Sequence, residues 1–205
     1  MTLTPQVLLT ELDTALSEVC PDWRNAVLRQ ITDLFFARAD LYTKEQVALF
    51  YSTMSLLLPG LDRQRLAELS NRLADLASAP AKVLASLANH PDPLVCAPVL
   101  ERSTALPDKV LIAVAERERI AQSILAKIAA RKELSPALTD RLLKRGNAAI
   151  QRVLLENPNA RISEEGFARV VTDLDMGLDG DKSLAQLVAS RQDLPAGLRP
   201  RLNEF

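Results

Sequence analysis

One feature of this 205-residue chain limits its fold more than any other: a pattern that returns every 28 residues. Leu106-Pro107 opens "LPDKVLIAV", Leu134-Ser135-Pro136 opens "LSPALTDRLL", Ile162-Ser163 opens "ISEEGFARVV" and Leu194-Pro195 opens "LPAGLRPRL", in steps of 28, 28 and 32. Each anchor starts a stretch whose apolar residues recur about every four: Leu106, Val110, Val114; Leu134, Leu138, Leu142; Leu194, Leu198, Leu202. That spacing is one face of a helix. Ser, Asp or Glu follows the first three anchors, as suits a helix N-terminus. A second short apolar stretch precedes each anchor, at 95–100, 120–128, 150–155 and 184–188. Counting back 28 from Leu106 finds "SAPAKVLASLA", a weaker copy. Two short helices per period make a hairpin that cannot bury its apolar face alone, so neighbours must stack. The expectation is an all-α chain of stacked helical hairpins, an α-solenoid. The longer last step coincides with the polar run "DLDMGLDGDK", read as a longer loop.

Upstream the helical spacing continues without the period. Val7, Leu8, Leu12, Leu16 and Val19 form one stripe; Trp23, Val27, Ile31, Leu34 and Phe35 form another, opened by Pro21. Thr43 with Gln46 three residues on reads as a capping box. The helix it opens carries Val47, Phe50, Tyr51, Met54 and Leu57 and stops at Pro59-Gly60. A fourth carries Leu66, Leu69, Leu73 and Leu76 and is expected to end near 78–80. Residues 1–60 hold nearly all the aromatics, with four basic and seven acidic residues. They are read as an N-terminal helical cap, and 61–205 as the repeats, together forming one continuous domain.

The stretches "VLRQITDLFF", "RLAELSNRLADLASAPAKVLASLANHPDPLVCAPVLERSTAL", "IAARKELSPALTDRLLKRGN", "VLLENPNARIS" and "LVASRQDLP" resemble, in order and spacing, an uncharacterised bacterial family. That family is known mainly from alpha-proteobacteria, is classed as a domain of unknown function and is built of HEAT-like helical repeats. The resemblance runs from about residue 25 to the C-terminus. It implies a HEAT-like α-solenoid and supplies no activity. Many members are longer, so this chain looks like a short version of them.

Composition agrees with helices. Hydrophobic residues make up 48% of the chain, enough for a sizeable core, and Leu and Ala dominate them. Only six glycines are present, too few for a fold built on tight hairpin turns. The net charge of −1 argues against a protein that coats nucleic acid or membrane by bulk charge. Cys20 and Cys96 form no CxxC pair, which fits a reducing compartment and offers no zinc site. The N-terminus lacks a basic n-region and reads as no signal peptide. No apolar run is long enough for a membrane span. The expected location is cytoplasmic, with no membrane association.

Few residues suggest chemistry. His90, the sole histidine, lies in "ANHPDPL" without a nucleophile motif beside it, and reads as a turn residue that caps or faces solvent. In "DLDMGLDGDKSLAQ" the spacing from Asp175 approaches a calcium loop, but Gly177 and Gln186 stand where ligands are required, so an acidic surface loop is expected. Arg131, Asn159 and Arg191 each sit three residues before an anchor. They could form a ligand-facing ladder; the favoured reading is that they bond the last carbonyls of the preceding helix. Charge is segregated: 119–161 holds nine basic and three acidic residues, whereas 162–205 holds five basic and eight acidic. Lys127, Arg131, Lys132, Arg141, Lys144, Arg145 and Arg152 form the candidate partner-binding basic patch. Arg141 and Arg145 share a helix face, with Lys144 beside them, just before Gly146, which reads as the residue after the helix end. Aromatics are absent there, so stacking on single strands is unsupported.

No catalytic, cofactor-binding or metal-binding residue is therefore assigned. The expected function is a non-enzymatic scaffold or adaptor that binds another protein. The alternative is nucleic-acid binding through 119–161, and an enzyme is the least favoured. Self-association is left open. Leu138 holds the second core position of its repeat, so Leu138→Ala should lose about 2–5 kcal/mol in denaturant unfolding. A loss below about 0.5 kcal/mol would put the apolar stripe on the wrong face.

Overall fold

A computed structural model gives the protein's fold. It describes residues 26, 29–33, 37, 42–59, 61–175 and 182–202. The first expected helix, the glycine of Pro59-Gly60 and most of the acidic run lie outside the described residues; of the second expected helix, residues 26, 29–33 and 37 are described and are helical.

The described residues are mostly helical. α1 spans Lys44–Leu57, α2 Arg63–Ala74, α3 Ala81–Ala88, α4 Pro93–Arg102, α5 Asp108–Ala115, α6 Gln122–Ala129, α7 Pro136–Arg145, α8 Ala148–Glu156, α9 Glu164–Asp175 and α10 Lys182–Ser190. A 3-10 turn at Ala196–Leu198 leads into α11, Arg199–Leu202. Among the described residues the only β pairing is an isolated parallel bridge between Leu134 and Ala160. No described helix is long and apolar enough to cross a membrane.

The helix starts follow local chemistry. Thr43 caps α1 as a full capping box, its hydroxyl accepting from the Gln46 N–H while the Gln46 side chain accepts from the Thr43 N–H at 3.0 Å. Asp62, Asp92, Ser135 and Asn147 cap α2, α4, α7 and α8 with side-chain oxygens. Proline follows two of these caps, at Pro93 and Pro136, where its missing N–H costs nothing. Pro98 lies inside α4 and removes the bond that the Leu94 carbonyl would accept. Leu94 is 57% exposed, so water reaches that side of the helix.

Two boundaries differ from the sequence reading. α2 ends at Ala74, several residues early, and Leu76 is in the following turn with its N–H on the Leu73 carbonyl. Gly146 is not a left-handed residue after α7. It is the C-cap itself, in extended backbone at φ −79°. Glycine is needed for space: a Cβ there would lie 2.6 Å from Ile150 Cγ2 and 2.8 Å from the Leu142 carbonyl oxygen.

Packing separates the helices into two rows. α2, α4, α6, α8 and α10 pack in that order, and α1, α3, α5, α7 and α9 do the same. Within the periodic part, α5, α7 and α9 begin at Asp108, Pro136 and Glu164, two steps of 28. The core runs between the rows as one continuous cluster. The anchors Leu106, Leu134, Ile162 and Leu194 are all buried, and Leu138, Leu142, Leu125 and Ile128 are fully enclosed. A buried Ser70 hydroxyl donates to the Val95 carbonyl and ties α2 to α4.

Candidate interaction surfaces

The turns between helices decide which charges are free. Arg131 is 8% exposed, and its guanidinium donates to the carbonyls of Leu100 at 2.7 Å and Ser103 at 2.6 Å. Those carbonyls close α4, one repeat back, whereas the helix immediately before Arg131 is α6. The Asn157 side-chain amide then donates to the carbonyls of Ala129 at 3.1 Å and Arg131 at 2.7 Å. Arg191 donates to the carbonyls of Leu155, Asn157 and Ala160. Each side chain therefore binds the turn into which its predecessor is built. Asn159, expected in this series, is exposed and donates its own N–H to the Asn157 side chain, so Asn157 holds the role.

A second series follows the C-terminal ends of the helices in the other row. Arg117 donates to the Asn89 side-chain oxygen, and Arg145 donates to the carbonyls of Glu116 and Arg117. Positions 89, 117 and 145 are 28 apart. Helix C-termini leave carbonyls without intrahelical partners, and guanidinium groups satisfy them while opposing the helix dipole. Burial pushes Arg131 below the usual arginine range, countered by Asp108 and Glu133. It still keeps its proton at neutral pH.

The seven basic candidates therefore do not form one surface. Arg131 and Arg145 join repeats. Lys127 on α6 pairs with Glu101 at 3.0 Å, and Arg152 on α8 donates to the Ser183 hydroxyl at 2.7 Å. Arg141 on α7 pairs with Glu116 at 3.1 Å, both side chains about half exposed. Lys132, in the turn before α7, and Lys144, on α7, are exposed and have no hydrogen-bond or ion-pair partner among the described residues. Lys127 and Arg152 are on one row of helices; Arg141, Lys144 and Arg145 are on the other.

A groove of about 360 Å³ lies between α7 and α9, lined by Asp140, Arg141, Lys144, Glu165, Gly166 and Arg169 among others. Gly166 sets the close approach of the helices, since a Cβ there would lie 2.7 Å from the Asp140 carboxylate. Arg169 was not among the candidates, because it falls in 162–205, where acidic residues outnumber basic ones. The signal was present: 141 and 169 are one period apart.

Other candidates have structural roles. His90 is half-buried in the turn before α4, its Nδ1 accepting the Asp92 N–H at 3.1 Å. Arg63 pairs with the Asp92 carboxylate. Burial pushes the Cys96 thiol up, which disfavours a nucleophilic thiolate. Among the described residues no group of His, Cys, Asp or Glu side chains could hold a metal ion.

Residues 95–204 match the model of a family described as uncharacterised protein conserved in bacteria (DUF2336). The match begins within α4, well after the start near residue 25 that the resemblance suggested. No curated protein and no solved structure matches the chain.

Arg145→Gln removes bonds between repeats and should lose about 1–3 kcal/mol in denaturant unfolding. Lys144→Gln, one residue away, should change stability by less than about 0.5 kcal/mol. Equal losses would contradict the division between joining and free cations. A pH dependence follows at Asp193. Burial raises its carboxyl, but two hydrogen bonds from Arg191 at 2.8 Å and that group's charge outweigh it, so the net shift is downward. A lowered folded pKa contributes stability above the unfolded value, about 3.9, that disappears as pH falls through the folded one. Asp193→Asn should therefore be destabilised most near neutral pH, and its deficit should shrink in acid. A constant deficit from neutral pH to pH ~2 would exclude this linkage.

Proposed function

This chain belongs to the bacterial DUF2336 family, and we propose that it is a non-enzymatic scaffold or adaptor, a HEAT-like α-solenoid that binds another protein in the cytoplasm. The observation that carries this reading is the division of polar side chains. Arg131, Arg145, Asn157 and Arg191 are engaged by the backbone of the preceding repeat. Exposed cations stand on successive helices of one row, Lys82 on α3, Lys109 on α5, Arg141 and Lys144 on α7 and Arg169 on α9. Stacked hairpins present extended surfaces suited to a partner, and each added repeat lengthens them. The half-buried His90 turn and the raised Cys96 thiol supply no activated nucleophile, which favours binding over catalysis. An alpha-proteobacterial setting is part of the same reading.

Nucleic-acid binding through 119–161 is the second reading. Nine basic residues favour it in number, but Arg131 and Arg145 are committed to carbonyls and the rest divide between two rows. Duplex phosphate recognition needs many cations on one face.

The test is purification of the tagged chain from its own cells, with and without nuclease, followed by titration against fluorescent duplex DNA at two salt concentrations. The expected result is a protein that co-purifies in fixed ratio after nuclease treatment, with no saturable DNA binding near physiological salt. Loss of every co-purifying protein on nuclease treatment, with salt-dependent DNA binding, would establish the second reading instead.

A further inference from the structure

We propose that the groove between α7 and α9 docks an acidic, extended segment of a partner protein. This deepens the scaffold reading and rests on it. The first observation is register. Positions 85, 113, 141 and 169 are equivalent in successive repeats, each 28 apart. They hold Ala85, Ala113, Arg141 and Arg169, so the face changes from small and neutral to cationic where α7 meets α9. Adjacent packed helices lie about 8–10 Å apart, which sets the approximate spacing of the two guanidinium-bearing positions.

The second observation is availability. Lys144 and Arg169 are exposed and have no hydrogen-bond or ion-pair partner among the described residues. Arg141 has only the half-exposed pair with Glu116, from α5, and an incoming carboxylate can exchange for such a pair at little cost. The acids of the groove compete less. Asp140 accepts the Ser163 hydroxyl at 2.7 Å. Glu165 lies in the first turn of α9, where the helix dipole favours a carboxylate. Three cations therefore face two acids, one of them engaged, in a groove of about 360 Å³.

The ligand chemistry follows from that spacing. An extended polyproline-II-like chain advances about 3.1 Å per residue with three residues per turn, so carboxylates three residues apart lie on one face about 9 Å apart and match Arg141 and Arg169. Lys144 adds a flexible third contact. A planar guanidinium can also hold a carboxylate with two parallel hydrogen bonds, which gives orientation as well as attraction.

The probe is fluorescein-labelled poly-L-glutamate, whose charges keep it extended at neutral pH. Three full-length proteins are compared by anisotropy at two ionic strengths: wild type, Lys144→Gln/Arg169→Gln, and Lys82→Gln/Lys109→Gln on the same row outside the groove. Thermal melts confirm that all three fold. Wild type should bind saturably, the groove variant roughly tenfold more weakly, and the control variant within roughly twofold of wild type. Equal loss in both variants would reduce the binding to bulk charge and overturn the assignment. So would absence of saturable binding by wild type, or tighter binding of duplex DNA through Lys144 and Arg169. A co-purifying partner retained in full by the groove variant would overturn the groove while leaving the scaffold reading intact.

Discussion

The structure depends on a hydrogen bond that crosses a repeat: a guanidinium or amide from one turn donating to the carbonyls that end a helix of the repeat before. α3, α5 and α6 have eight residues each, too few to hold a helix in water alone. The last carbonyls of any helix lack intrahelical partners, so a short helix leaves a large share of its backbone unsatisfied. Burying those ends between repeats would be costly without donors. Arg131, Arg145, Asn157 and Arg191 provide them, and apolar packing of the two rows can then proceed around satisfied backbone.

That requirement explains why charge read along the chain overstated the available surface. The count over 119–161 treats every arginine as solvated. A period that places Arg117 and Arg145 at matched turns is equally a period of internal donors. Arginine suits this position because its planar fork reaches several carbonyls at once while its stem packs on apolar neighbours. Lysine, a single flexible point charge, is left at exposed sites such as Lys132 and Lys144.

Much of the fold was legible in the sequence because apolar burial repeats with the period. The four anchors are buried, Leu138 is fully enclosed, and the Thr43–Gln46 capping box forms as its spacing implied. The misreadings have local causes. Gly146 was read as the residue after the helix end, but it is the C-cap itself, required there by the closeness of Ile150. Asn159 was chosen by counting from its anchor, yet Asn157 reaches the carbonyls, since an amide side chain is shorter than an arginine and must start elsewhere in the turn. The groove was only partly legible. Arg141 and Lys144 were singled out, whereas Arg169 belongs to the next repeat, in a stretch of net negative charge. A linear charge count cannot join residues that only the stacking of α7 on α9 brings together.

The bonds that close helix ends also have a direction. In each of those made by Arg131, Arg145, Asn157 and Arg191, the donor is C-terminal and the carbonyl that accepts is N-terminal to it. A repeat emerging from the ribosome therefore carries open carbonyls, and its successor arrives with the group that closes them. Synthesis proceeds in the same sense, N-terminus first. Closure of these helix ends can follow translation without any of them waiting for a distant part of the chain. The newest repeat is always the least secured, and it becomes firm only when the next one is made.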